Sequence, residues 1–126
     1  MKIISAASAP AAIGPYSQAV VNHGLVYTSG QIPLVPETGD IAEGSIKEQT
    51  SQVLKNLAAL LTASGSGLSR VIKTTCFLTN MEDFNDFNEI YAGFFADHRP
   101  ARSCVAVAAL PKGALVEIEA IAAVND

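Results

Sequence analysis

Two stretches of the chain repeat their apolar residues at helical spacing, and the remaining segments read as strand, turn or loop. In residues 46–64, Ile46, Val53, Leu57, Leu60 and Leu61 fall on one face. Ser45 precedes them as a cap, Glu48 three residues later completes a capping box, and Gly65 ends the helix. In residues 81–96, capped by Asn80, the side chains of Phe84, Phe87, Tyr91, Phe94 and Phe95 form an aromatic stripe of the kind that faces a core. Pro100 then forces an extended restart. Each helix is followed by a β-rich segment, 70–79 after the first and 102–109 after the second, so the chain is limited to a layered α+β arrangement.

The other strands follow from turn chemistry and alternation. Met1 to Ala9 reads as a first strand running into a loop; its two strong hydrophobes fall short of a secretory h-region. Residues 17–31 read as two short strands around the turn Asn22-His23-Gly24, with Gly24 supplying positive φ. Ile32 to Gly44 is loop. In residues 115–124, Glu117, Glu119 and Ile121 share one face while Val116, Ile118 and Ala120 share the other. The order is β-β-β-α-β-α-β-β in a single domain over residues 1–126, a mixed sheet with two helices packed on one face. The second face is also largely apolar and has no helix left to cover it. With 49% hydrophobic and only 16% charged residues, the expectation is self-association.

Charge and cysteine usage narrow the function classes. The net charge is −4, and the five Lys and three Arg form no run, which argues against a nucleic-acid footprint. No segment approaches the length of a membrane span. Cys76 and Cys104 make no disulfide framework and no zinc spacing; two free thiols fit a reducing, cytoplasmic compartment.

Few residues are left to carry chemistry. Arg102 starts a strand two residues past Pro100 and points to the same face as Cys104. An arginine there is either a two-pronged clamp for a carboxylate or half of a structural salt bridge to Glu117 or Glu119. Those two glutamates lie about 6.6 Å apart along one strand face and are either an acid–base pair or a solvated edge. Cys104 is either a nucleophile or a partly buried thiol, and no sequence neighbour lowers its pKa. Tyr16 sits in the stiff turn Gly14-Pro15-Tyr16-Ser17-Gln18, Ser29-Gly30 ends a strand where a ligand can approach backbone, and Asn88 interrupts the polar side of the second helix. His98 lies near a helix C-terminus, where a dipole role suffices, and His23 sits in a turn. If the last two strands form a hairpin around Lys112, Glu117 lies opposite about Val107, with Arg102 roughly 17 Å further along. Arg102 and Glu117 would then share a site only across two subunits.

Five stretches line up in order across nearly the whole chain: Ile13-Gly14-Pro15-Tyr16-Ser17-Gln18-Ala19, Thr28-Ser29-Gly30-Gln31-Ile32-Pro33, Val71-Ile72-Lys73-Thr74-Thr75, Pro100-Ala101-Arg102-Ser103-Cys104-Val105 and Val116-Glu117-Ile118-Glu119-Ala120-Ile121-Ala122. Together they resemble the Rid (YjgF) family of reactive-intermediate imine deaminases. The resemblance implies a chorismate-mutase-like fold and a homotrimer with sites at its subunit interfaces. It implies hydrolysis of 2-imino acids or their enamines, such as 2-iminobutanoate and 2-iminopropanoate, to 2-oxo acids and ammonia. Such imines are released by pyridoxal-phosphate-dependent dehydratases, and neither a cofactor nor a metal is required. By the same resemblance Arg102 clamps the substrate carboxylate, Glu117 positions water and Tyr16 stands with them, while Ser29, Gly30, Asn88 and Cys104 line the pocket. Ala106 departs from the glutamate that many bacterial members carry there. Two rival classes use the same residues differently: a regulatory module that binds 2-oxo acids without turnover, and a ribonuclease or translation inhibitor.

Overall fold

The computed structural model of the protein describes residues 1–125. Burial along the last strand, Val116–Ala123, shows how the sheet is covered: Val116, Ile118, Ala120 and Ala122 are buried and the intervening residues are not. The buried set faces two helices, Ile46–Ala63 (α1) and Phe84–Phe95 (α2). Val53, Leu54, Leu57, Leu60 and Leu61 of α1 join Phe87, Tyr91 and Phe95 of α2 in one cluster over that face. Each such side chain, fully buried, contributes on the order of 1.5–3 kcal/mol. Helix α1 begins as its sequence requires: the Glu48 carboxylate accepts from the Ser45 backbone N–H at 2.9 Å. A single 3₁₀ turn, Met81–Asp83, precedes α2, and the Asn80 side chain accepts from the Glu82 N–H at 2.9 Å.

The strands are Lys2–Ile4 (β1), Ala19–Asn22 (β2), Leu25–Thr28 (β3), Val71–Leu78 (β4), Ala101–Ala106 (β5) and Val116–Ala123 (β6). They form one mixed sheet in the order β1-β2-β3-β6-β4-β5. The architecture is α+β, as read from the sequence. The β2–β3 hairpin turns through two left-handed residues, His23 (φ 50°) and Gly24 (φ 78°), the geometry of a type I′ turn. Among the described residues no helix is long and apolar enough to cross a membrane.

One expectation is overturned. β5 and β6 do not form a hairpin; β4 lies between them, parallel to β5 and antiparallel to β6. The connecting residues 107–115 pass over the end of β4. There the Val107 N–H bonds to the Leu78 carbonyl at 2.8 Å, and the Thr79 N–H to the Leu115 carbonyl at 3.2 Å. β5 ends at Ala106 and not at 109, so the connection is nine residues long, beyond the 2–5 usual in hairpins and enough to cross the end of β4.

The sheet's second face carries Ile3, Tyr27 and Val105, exposed at 68, 44 and 45%. Register places Tyr27 beside Ile121 and Phe77 beside Glu117 and Val105 on the same side.

Candidate functional site

Arg102 stands on the edge strand β5, on the face turned toward α2. Its guanidinium lies 4.8 Å from the ring centre of Tyr91, 5.5 Å from Phe84 and 5.8 Å from Phe87. The aromatic stripe of α2 thus does two things: it fills the core and gives a cation a face to lie on. Nη1 donates to the Asn88 side-chain oxygen at 2.8 Å, which fixes the plane of the fork. Among the described residues Arg102 has no carboxylate partner, so the structural salt bridge to Glu117 or Glu119 is not formed. Tyr91 is anchored through its hydroxyl, 2.7 Å from Thr74 Oγ1, and burial raises its pKa. A cavity of about 320 Å³ opens beside this arrangement, with Asn88, Tyr91 and Arg102 in its wall.

Cys104 lies one alternation further along β5, paired across the ladder with Cys76 and packed against the core. Burial raises its thiol pKa, and the Arg102 charge offsets this only in part. Burial pushes Cys76 up to about 12. Neither thiol has the electropositive, exposed setting of a nucleophile.

Glu117 belongs to a second constellation, on the other face. Strand alternation sets it opposite to Ile118, which is fully buried under the helices. Its neighbour is Gly30, where a Cβ would come within 2.6 Å of Glu117 Oε2. Only a residue without a side chain leaves the carboxylate that place. Gly30 is held on both sides. The Gln31 N–H bonds to the Ile118 carbonyl at 2.8 Å and the Ile118 N–H returns to Gln31 at 3.1 Å. The Ser29 N–H bonds to the Gln18 carbonyl at 2.9 Å, and the Ser29 hydroxyl donates to the Ser17 carbonyl at 2.6 Å. Ser29 is therefore a positioning group in this chain, with lone pairs left to accept.

Desolvation, and then repulsion from Glu119, raises the Glu117 pKa above the ordinary carboxylate value. A cavity of about 270 Å³ has Tyr16, Gly30, Gln31, Lys112 and Glu117 in its wall. Tyr16 is 54% exposed, and its hydroxyl accepts weakly from the Ile13 N–H at 3.4 Å.

The predicted residues thus fall into two groups. Arg102 and Asn88 meet, with Cys104 behind them; Glu117, Gly30 and Tyr16 share one cavity, with Ser29 bracing its edge. Within one chain the groups do not meet. Arg102 shares a rung with Thr74, Glu117 shares one with Phe77, and β4 intervenes. Roughly 10 Å across the sheet and 10 Å along it therefore separate them, and they project from opposite faces. The expected separation holds, for a different reason than the hairpin register.

Two supporting residues, Gln18 and Gln31, were not singled out from sequence, and a third, His98, was given a different role there. Gln18 is buried and ties the loop before it, donating from Nε2 to the carbonyls of Pro10 (2.6 Å) and Ala6 (3.2 Å). Gln31 pins Gly30 to β6 through its backbone. His98 Nε2–H donates to the Val71 carbonyl at 2.6 Å, so this histidine ties the end of the α2 segment to the start of β4 rather than serving the helix dipole. A polar residue inside an apolar run was the available signal for Gln18; backbone pairing at Gln31 leaves none. Among the described residues no cluster of three or more His, Cys, Asp or Glu could hold a metal ion.

The family described as Endoribonuclease L-PSP matches residues 6–124. A Lactococcus lactis protein named "Putative regulator AldR" is 57% identical over 99% of both chains. The human 2-iminobutanoate/2-iminopropanoate deaminase is 48% identical over 96% of this chain and 88% of its own. The crystal structure of YyfA from Yersinia pestis, of the conserved Rid protein family, superposes with a TM-score of 0.95 at 52% identity, covering 98% of each chain. With its fold, its ordered motifs and these relatives in agreement, the chain belongs to the Rid (YjgF) family.

Proposed function

We propose that the protein hydrolyses reactive 2-imino acids at sites completed between subunits of a chorismate-mutase-like homotrimer. The observation that carries this reading is a pair of half-sites of opposite charge in one chain: a guanidinium with no carboxylate partner among the described residues on one sheet face and a desolvated carboxylate on the other. In a cyclic trimer the neighbour seated on the Glu117 face brings its Arg102 to that carboxylate, and the other neighbour brings its Glu117 to this chain's Arg102.

The chemistry needs little more. The Arg102 fork holds the substrate carboxylate in two parallel hydrogen bonds. The imine carbon is electrophilic, more so with its nitrogen protonated. Glu117 orients a water and takes one of its protons as the oxygen adds to that carbon. Glu117 then returns that proton to the nitrogen of the carbinolamine, which leaves as ammonia while the hydroxyl gives up its proton and becomes the 2-oxo carbonyl. 2-Iminobutanoate and 2-iminopropanoate, as products of pyridoxal-phosphate-dependent dehydratases in the cytoplasm, are the expected substrates; the reaction itself uses no cofactor.

A second reading, a 2-oxo-acid-binding regulator without turnover, is favoured by the name of the Lactococcus relative. An endoribonuclease would need a basic surface, and eight basic residues against twelve acidic ones do not provide it.

The deciding assay couples a threonine dehydratase to semicarbazide, which traps free imine. The protein is expected to lower semicarbazone formation; no effect on imines from threonine or serine would refute the enzymatic reading. Mixed trimers test the shared site. Arg102→Ala and Glu117→Gln chains, each inactive alone, are expected to regain about a quarter of the sites on random reassembly of a cyclic trimer. No regain would place the whole site within one chain.

A further inference from the structure

The chain has three arginines, and their placement is uneven. Arg70 is committed to the end of β6, donating to the carbonyls of Ala123 at 3.1 Å and Val124 at 3.4 Å. The other two, Arg99 and Arg102, line one cavity of about 320 Å³. Among the described residues no aspartate or glutamate contributes to that wall. Arg102 is steadied by Asn88 and the aromatic bed, whereas Arg99 is exposed and has neither a hydrogen-bond nor an ion-pair partner among the described residues. The ring nitrogen of neighbouring His98 is spent on the Val71 carbonyl, so that loop is tied at its base while the Arg99 head is left uncommitted.

Two arginines in the wall of one small cavity, one of them uncommitted, are more than a single carboxylate needs. We infer that Arg99 is a specificity residue that receives a second carboxylate, so that beyond the 2-imino monocarboxylates the site also takes 2-imino and 2-oxo dicarboxylates, and holds them more tightly. This rests on the deaminase reading for turnover, but binding tests it independently. The volume is at the lower end of small-molecule pockets, roughly 300–1,000 Å³, and suits a four- or five-carbon diacid. Arg102 takes the carboxylate next to the imine carbon, and Arg99 takes the distal one. An arginine is suited to this because its planar fork matches a carboxylate with two donors and stays charged at every working pH. The Tyr91 and Phe95 rings supply the apolar wall against which the intervening methylenes lie.

The test compares 2-oxoglutarate with 2-oxobutanoate by titration calorimetry, and the imines of glutamate and 2-aminobutyrate, generated by an amino-acid oxidase, by turnover. The wild-type protein is expected to bind 2-oxoglutarate roughly tenfold tighter, the gain of one charge-assisted contact. Arg99→Ala is expected to bring the two affinities within about twofold, with the kcat/KM ratio of the two imines moving by a similar factor. Arg99→Lys is expected to keep part of the preference. Equal wild-type affinities, or a preference that survives Arg99→Ala, would overturn the inference. A diacid preference that depends on Arg99 without turnover of either imine would uphold the ligand class and remove the deaminase reading instead.

Discussion

Around Arg102 the protein supplies side chains; around Glu117 it supplies backbone. The guanidinium rests on three rings and one amide, all from α2. The carboxylate sits over a glycine pinned by main-chain pairing with β6. The first arrangement tolerates small movement, since a cation over a ring keeps most of its attraction when it slides. The second is set by the absence of atoms, and one added carbon disturbs it. The difference teaches where each half should fail.

The largest effect is expected at the cation. Arg102→Ala should lower kcat/KM for 2-iminobutanoate roughly 10²–10³-fold, because two charge-assisted bonds go with it. Arg102→Lys should recover little of that, since the fork and not the charge alone is used. Circular dichroism should show an unchanged fold, because the residue is exposed on an edge strand. Glu117→Gln should cost about 10²-fold in kcat while leaving 2-oxobutanoate binding within a few-fold, measured by calorimetry. A loss of binding equal to the loss of rate would mean that Glu117 holds ligand rather than water.

These two expectations also mark what was legible. The Arg102 half lies in local patterns: the Asn80 cap, the aromatic stripe at helical spacing and the Pro100 restart place α2 and the head of β5 from sequence. The alternation that puts Glu117 opposite Ile118 was equally plain. What could not be read was which strand lies next to which. The β4–β5 and β4–β6 pairings join residues far apart in sequence, and the β5–β6 turn residues suit a hairpin and a crossing alike. The Gly30–Glu117 contact depends on that pairing and was hidden with it.

The backbone half should show its character in two smaller effects. Gly30→Ala should cut kcat about tenfold by displacing the Glu117 carboxylate, with little loss of stability, since the atom in the way is the end of a flexible side chain. An unchanged rate would mean that the carboxylate works from another rotamer. In the pH profile, Glu117 must be ionised to take a proton, and burial, then repulsion from Glu119, moves the acidic limb upward from the ordinary carboxylate value. Glu119→Gln removes the repulsion and should shift that limb to lower pH, read from kcat between pH 4 and 8; a limb that stays in place would assign it to another group. The smallest effect returns to the cation's bed. Tyr91→Phe keeps the ring but leaves the buried Thr74 hydroxyl without its 2.7 Å partner, and chemical denaturation should show a loss of about 1 kcal/mol with activity nearly retained.

The contact between position 30 and Glu117 also bears on how a chain like this can change over generations. While the long acid is in place, every residue larger than glycine at 30 meets its carboxylate. If aspartate comes first at 117, the Cδ and Oε2 atoms nearest position 30 are gone, and an alanine there meets less of the side chain. The cost of either substitution thus depends on whether the other is already in place. A lineage's history at these positions therefore follows a path and cannot be reduced to a list of independent changes.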